Sequence, residues 1–103
     1  MAIATRYSNL SRAPVRVQVD CPLTLHDEST GYSGEGRCLY ISTQSIVFTA
    51  AYMPLMGTRI LVQIKPTRAL SIPLDAHVVI RRVEGGVDPN VYRITATIDQ
   101  IIK

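Results

Sequence analysis

The fold is decided by the stretch Val15-Arg16-Val17-Gln18-Val19-Asp20-Cys21-Pro22-Leu23-Thr24-Leu25-His26. Its odd positions from 15 to 25 are all apolar, and the even positions between them are polar except for Pro22. A period of two is that of a β-strand with one face in a core and the other in solvent. Because proline cannot donate a ladder hydrogen bond, Pro22 on the outward set indicates a strand edge or a bulge.

Similar stretches continue along the chain. We predict further strands around residues 37–41, 45–50, 58–64, 72–81 and 92–98. A serine- and glycine-rich turn over residues 27–36 closes the first hairpin, and residues 53–57 form a loop. Six strands with short turns and no helical period predict an all-β protein. Closure into a six-stranded antiparallel β-barrel removes the exposed strand edges, so this is the expected fold.

The chain has 103 residues, which is the size of one domain. Residues 1–11 show no periodicity, so we predict a flexible N-terminal arm there and the barrel domain over residues 12–103. After the sixth strand, residues 99–103 allow at most a short helical turn. Its apolar Ile101 and Ile102 need cover, either from the end of the barrel or from a partner.

The charge pattern points to an anionic partner. The net charge is +3, and nine of the eleven basic residues are arginine. The planar guanidinium group donates two parallel hydrogen bonds to phosphate oxygens or to the O6/N7 edge of guanine. The alternative is a basic surface that is only solvated. Since there is no apolar run of membrane-spanning length and no signal-peptide core, we expect a cytoplasmic protein.

No pattern typical of an enzyme is present. Cys21 and Cys38 have no zinc-ligand spacing, so we expect buried free thiols, no metal and no cofactor. The carboxylates are dispersed, and Ser42 and Ser45 lack the glycines of a nucleophile elbow. His26 and His77 fall on outward strand positions. The sequence therefore predicts a binding domain without catalytic residues.

The most informative motif is Arg12-Ala13-Pro14-Val15-Arg16, directly before the first strand. Pro14 biases Ala13 toward an extended conformation, which excludes a helical turn with both arginines on one face. We therefore expect an extended loop that wraps a ligand and closes the guanidinium groups of Arg12 and Arg16 around it.

Arg12 to Arg16, followed by the alternating residues 17–23, resembles the opening of a PilZ domain. The family's second motif is Asp/Asn-x-Ser-x-x-Gly. Here the corresponding residues are Tyr40-Ile41-Ser42-Thr43-Gln44-Ser45, with Tyr40 in place of the acid or amide and Ser45 in place of the glycine. Residues 57–62, 76–83 and 92–98 resemble the family's fourth, fifth and sixth strands, so the resemblance covers about residues 12–98.

The resemblance implies a PilZ-like split barrel that binds the bacterial second messenger cyclic di-GMP. Arg12 and Arg16 would then hold the phosphates and guanine edges, and Ser42 would donate to a phosphate or a polar edge. Tyr40 and Ser45 complete the candidate ligand-binding set. Tyr40 either stacks on a guanine or packs inside the barrel.

Three functions follow from these observations. The first is a regulatory domain that binds cyclic di-GMP and relays the signal to an unidentified protein partner. The second, favoured by the altered residues Tyr40 and Ser45, is an adaptor of the same fold that acts in motility or pilus assembly through protein contacts alone. The third is a basic barrel that binds RNA or single-stranded DNA, although its five Tyr and one Phe form no stacking cluster in the sequence. The ligand stoichiometry, the partner and the oligomeric state stay open.

Overall fold

A computed structural model describes residues 16–65, 74–85 and 88–102. Its six strands are β1 (Val17–Asp27), β2 (Tyr32–Ile41), β3 (Ser45–Ala50), β4 (Arg59–Ile64), β5 (Leu74–Gly85) and β6 (Tyr92–Ile101). All neighbouring strands are antiparallel, and they form a closed barrel in the order β1-β2-β3-β6-β5-β4. The prediction of a six-stranded antiparallel barrel is confirmed. No helix in these residues is long and apolar enough to cross a membrane.

The core lies inside the barrel and is built from the inward positions of all six strands. Each fully buried Val, Leu, Ile or Phe side chain contributes roughly 1.5–3 kcal/mol to folding. The inward positions predicted from the period of two in β1, β4, β5 and β6 are confirmed for the described residues except Val17, which lies before the β1 bulge and is 51% exposed. The buried cluster comprises Val19, Cys21, Leu23, Leu25, Cys38, Ile46, Phe48, Ala50, Ile60, Val62, Ile64, Ala76, Val78, Ile80, Ile94 and Ala96.

The first hairpin differs from the prediction. Its turn is closed by the Gly31 amide, which donates to the Asp27 carbonyl at 2.8 Å, and Gly31 has a φ of 77°. β2 then begins at Tyr32, so the predicted turn over residues 27–36 is wrong in its second half. Gly36 lies within β2, and a side chain at this position would clash with the Thr49 carbonyl oxygen of β3. This glycine permits close strand approach rather than a turn.

The C-terminal residues also differ from the expected helical turn. They continue β6 through Ile101, which pairs with Ala76 of β5, and the Ile102 amide donates to the Asp75 carbonyl at 2.8 Å. Ile101 and Ile102 remain 54% and 49% exposed. These residues form a strand instead of a turn because their backbone groups have partners on β5.

Bulges interrupt four of the strands. One lies between Gln18 and Cys21 of β1, directly before Pro22, so the bulge indicated by Pro22 is confirmed. The others that matter for the surface are one at Leu39 of β2 and one at Arg81 of β5. An extra residue on one strand switches which of the following side chains point inward.

Candidate functional site

The hairpin between β2 and β3 carries two of the predicted site residues, Ser42 and Ser45. The Ser42 amide donates to the Ser45 carbonyl at 2.9 Å. The Ser42 hydroxyl oxygen accepts from the amides of Gln44 (3.2 Å) and Ser45 (3.0 Å), and it lies 3.2 Å from the Ser45 hydroxyl. Ser45 has no positive φ, so serine in place of glycine costs no backbone strain here. The first role of the Ser42 hydroxyl is therefore to shape the turn.

Arg16 is brought to this hairpin by the register of β1 and β2. Val17 pairs with Ile41, and Gln18 pairs with Tyr40. The ladder ends at the first of these pairs, and Arg16 and Ser42 are the next residues of the two chains beyond it. Because paired residues share a face of a sheet, Gln18 lies on the same side as Tyr40. Arg16 is exposed.

Tyr40 faces outward. Cys38 pairs with the core residue Phe48, whereas Tyr40 pairs with Val47, which alternates with the inward Ile46 and Phe48. Without the bulge at Leu39, Tyr40 would share the inward side of Cys38, since the two are separated by two positions. Of the two positions that the sequence left open for Tyr40, the structure selects the outer surface.

Arg93 of β6 lies against the Tyr40 ring. The guanidinium carbon is 5.9 Å from the ring centroid, within the range of a cation–π contact. Because β3 separates β6 from β2 in the barrel, the Arg93 side chain crosses β3 to reach Tyr40. Val47 of β3, which pairs with Tyr40, is on the outer wall yet only 1% exposed. Tyr40 and Arg93 therefore belong to one packed outer surface.

Two further arginines extend this surface along β5. Arg82 pairs with Thr95, and the bulge at Arg81 leaves both arginines exposed. The Arg81 Nε donates to the Thr97 hydroxyl at 3.0 Å. Thr97 in turn pairs with Ser45 of the hairpin. We call the outer surface that carries Arg16, Tyr40, Arg81, Arg82 and Arg93 the arginine face.

Two carboxylates near the arginine face are paired with arginines, whereas the exposed Asp88, which lines a pocket with Arg93, makes no ion pair among the described residues. Asp20 binds Arg37 at 2.5 Å and Glu84 binds Arg82 at 3.0 Å. A third pair, Arg59 with Asp99 at 2.8 Å, lies toward β4. All three pairs are exposed, so each contributes little to stability.

Among the residues that the structure describes, Arg16, Arg81 and Arg93 make no ion pair with a carboxylate. The face therefore keeps unneutralised positive charge, which attracts anions.

Two thiols lie in the core below the face. Cys21 and Cys38 are directly opposite each other on β1 and β2, both fully buried and free, as expected. The Cys38 thiol donates weakly to the Tyr40 carbonyl at 3.6 Å. Burial raises the pKa of Cys21, and burial together with the neighbouring Cys21 raises the pKa of Cys38 to about 12. Neither thiol is a ready nucleophile.

A different surface lies at the other end of β1 and β2, next to β4. A groove of about 550 Å³ there is lined by His26, Ser33, Leu61 and Gln63, among others. The His26 Nδ1 lies 2.6 Å from the Ser33 hydroxyl. His77, on the neighbouring β5, is half-buried. Across the described parts of the chain, no three His, Cys, Asp or Glu side chains form a group that would hold a metal ion.

The structure thus brings together Arg16, Tyr40, Ser42 and Ser45, four of the five predicted site residues. Arg12 lies outside the described residues. Sequence reasoning missed Arg81, Arg82 and Arg93 as site residues. A signal for the first two was available, because two adjacent arginines in an alternating strand indicate a bulge that turns both outward.

Comparison with known proteins supports the fold. No protein-family model matches the chain, and no curated protein sequence does. The structure is similar to that of the inhibitor of motility (MotI/DgrA) of Bacillus subtilis, with a TM-score of 0.69 and 17% sequence identity. The match covers 87% of this chain and 43% of that one, so this chain spans less than half the length of MotI/DgrA. At this level of identity the likeness shows that the two chains share a fold.

Proposed function

We propose that this barrel binds cyclic di-GMP on the arginine face and regulates a protein partner, with motility as the process it controls. The observation that carries the proposal is the series of contacts that links Ser42 to Ser45, Ser45 to Thr97 and Thr97 to Arg81, with Arg16 next to the end of the β1–β2 ladder. Cyclic di-GMP has two phosphate charges and two guanine O6/N7 edges. Arginine binds both kinds of group with paired hydrogen bonds.

Arg12 completes the proposed site. It stands four residues before Arg16, with Pro14 between them. In this proposal a ligand held beside Arg16 is within the reach of four residues of chain, so Arg12 can contact it as well. In this proposal Arg12 and Arg16 hold the phosphates and guanine edges from the β1 side. Arg81 and Arg93 supply positive charge from the β5 and β6 side.

Motility enters from the structural neighbour. MotI/DgrA is an inhibitor of motility by its name. The shared fold makes a role in the same process a reasonable starting point, although fold alone does not determine function. The signal would pass to the partner through the surface that changes when the ligand binds.

Calorimetry with cyclic di-GMP tests the proposal. Each lost charge-assisted contact weakens binding by roughly tenfold or more, since such hydrogen bonds contribute about 1.5–3 kcal/mol. We expect Arg12→Ala/Arg16→Ala to reduce affinity by at least about 100-fold. Arg16→Lys should also weaken binding, because an ammonium group cannot form the paired contact.

Arg59→Ala is the matched control. It also removes one arginine, but its guanidinium is engaged by Asp99 and Gln100 on the side toward β4. Its affinity should stay close to that of the wild type. Equal affinity of the wild type and the Arg12/Arg16 double variant would contradict the proposed site.

A second candidate function is favoured by a specific observation at the barrel end. The β3–β4 loop exposes Met53, Leu55 and Met56 by 59%, 77% and 69%. Exposed apolar side chains in one loop are typical of protein contact surfaces. If cyclic di-GMP gives no heat at high protein concentration, an adaptor that acts through protein contacts becomes the better reading. In a motility assay of cells that produce the protein, Met53→Ser/Leu55→Ser/Met56→Ser should then abolish the protein's effect on motility, whereas Arg12→Ala/Arg16→Ala should leave it unchanged.

A further inference from the structure

We infer that this domain recognises a purine base by stacking on the Tyr40–Arg93 pair and through the O6/N7 edge, and that it does not read the guanine 2-amino group. The inference rests on the proposed function, because it concerns how the same face holds the same class of ligand. It makes Tyr40 and Arg93 specificity-determining residues, and it predicts which cyclic dinucleotides the domain accepts.

Tyr40 is the described tyrosine that is suited to stacking. Tyr32 and Tyr52 stack on each other, with ring centroids 4.0 Å apart and planes within 4°. Both also pack against the core, as does Tyr92. Tyr40 is absent from this packing and lies half-buried on the outer surface, two residues before Ser42. Its ring is thus an aromatic surface at the site itself.

Arg93 holds this ring and adds a planar group beside it. A guanidinium over a tyrosine ring restricts the rotamers of both side chains, so less entropy is lost when a base stacks on the pair. Arginine planes stack on bases as aromatic rings do. The same guanidinium carries donors that match guanine O6 and N7. Stacking and recognition of the O6/N7 edge can therefore come from one pair of residues.

Two carboxylates that could read the other edge of guanine are occupied. N1–H and the 2-amino group of guanine are donors, and a carboxylate is the natural acceptor for both. Tyr40 stands where a carboxylate or amide would serve this purpose in the resembled motif. The nearby carboxylates Asp20 and Glu84 are bound to Arg37 and Arg82. At Tyr40 itself the described residues offer donors and a ring, whereas Asp88, a carboxylate without an ion pair among them, lies in the β5–β6 turn and lines a pocket with Arg93.

The consequence is a defined ligand preference. Hypoxanthine has the O6 and N7 acceptors of guanine but lacks the 2-amino group. Adenine has an amino donor in place of O6, which faces arginine donors unfavourably. Cyclic di-IMP should therefore bind about as tightly as cyclic di-GMP, and cyclic di-AMP more weakly.

Calorimetry with these three cyclic dinucleotides on the full chain tests the inference. We expect the Kd of cyclic di-IMP to be within about threefold of that of cyclic di-GMP, and the Kd of cyclic di-AMP to be at least about tenfold higher. Tyr40→Phe should keep the affinity, whereas Tyr40→Leu should lose about tenfold because it removes the ring. Arg93→Gln should weaken binding of both cyclic di-GMP and cyclic di-IMP. Tyr40→Asp should restore selectivity, so that cyclic di-GMP binds better than cyclic di-IMP.

The outcomes separate this inference from the proposed function. If cyclic di-GMP binds but cyclic di-IMP binds at least about tenfold more weakly, the inference is overturned while the proposed function stands. Unchanged affinity of Tyr40→Leu would overturn it in the same way. If none of the three ligands gives a heat of binding, the proposed function itself fails. A thermal melt of each variant shows that the measured change is not loss of folded protein.

Discussion

Asp27, the last residue of β1, accepts a hydrogen bond of 2.6 Å from the phenol of Tyr52 in the β3–β4 loop. The other carboxylate oxygen accepts from the amide (3.0 Å) and the hydroxyl (2.6 Å) of Ser29. Asp27 is 1% exposed and is the buried charged residue among those described. These contacts join the first hairpin turn to the β3–β4 loop at one end of the barrel.

Because of Asp27, the free energy of unfolding should depend on pH in the acid range. Burial raises its pKa, but the hydrogen bonds from Ser29 and Tyr52 outweigh burial and leave the pKa lowered. A carboxylate with a lowered folded pKa stabilises the protein above its unfolded pKa of about 3.9, and this stabilisation is lost as pH falls through the folded value. We expect Asp27→Asn to flatten the fall in unfolding free energy below about pH 4, measured by urea unfolding.

Tyr52→Phe should cost about 1.5–3 kcal/mol at neutral pH, because a buried carboxylate loses a donor. Tyr32→Phe is the matched control, since it keeps the ring that stacks on Tyr52 and makes no hydrogen bond to Asp27. Equal stability of the two variants would mean that the Asp27–Tyr52 contact contributes nothing.

Gly36→Ala should destabilise the barrel. The new methyl group would collide with the Thr49 carbonyl oxygen and lie 3.3 Å from the Ala50 Cβ, so β2 and β3 would have to separate. Overpacking of this kind costs about 1–3 kcal/mol. Gly85→Ala is the control, since nothing lies within 4 Å of its added Cβ and its φ is not positive. Chemical denaturation of both variants measures the difference, and equal midpoints would contradict the close strand approach.

Ser42→Ala should lower stability even without ligand. Its hydroxyl oxygen accepts from two backbone amides of the hairpin, and the loss of such hydrogen bonds costs about 0.5–1.5 kcal/mol. The neighbouring Thr43→Ala, at an exposed position of the same turn, should be close to neutral. Thermal unfolding distinguishes them. A Ser42→Ala variant with wild-type stability would mean that this hydroxyl is available to a ligand rather than used by the turn.

The two thiols should be unreactive in the folded protein. Cys21 and Cys38 are fully buried, and burial raises the pKa of both, that of Cys38 to about 12. Near pH 8 both are protonated, and the thiolate is the reactive form. A disulfide-exchange reagent such as Ellman's should therefore label neither cysteine in buffer and both in concentrated guanidinium chloride. Rapid labelling in buffer would show that β1 and β2 separate readily.

Much of the barrel follows from local pattern. The alternation in β1, β4, β5 and β6 predicts their inward faces because a strand repeats every two residues. The start of β2 does not follow from local pattern. Its glycines Gly34 and Gly36 are typical of turns in sequence, yet both lie within the strand. The Tyr32 phenol of the same strand covers Gly34, whereas the Thr49 carbonyl of β3 approaches Gly36. The approach of β3 is not a local property of the chain, so the local pattern does not predict it.

The candidate site divides in the same way. The sequence predicted strands on either side of Ser42, and the structure forms a hairpin there. The position of Arg16 next to this hairpin depends on the register of β1 with β2. The orientation of Tyr40 depends on the bulge at Leu39, and its contact with Arg93 joins residues 53 positions apart. Bulges and cross-barrel contacts depend on the whole sheet, so sequence alternation alone cannot predict them.

The ladder between β1 and β4 has a consequence for how the barrel comes apart. Among the described residues it pairs only residues 23–26 with 61–64, the shortest ladder of the six. Thermal fluctuation should open the barrel first between β1 and β4. The open form is a curved ribbon whose two edge strands, β1 and β4, present unpaired backbone N–H and C=O groups. The amides of 61–64 should then exchange with deuterium earlier than those of β3. A second chain meeting such a ribbon would find a template for intermolecular strand pairing.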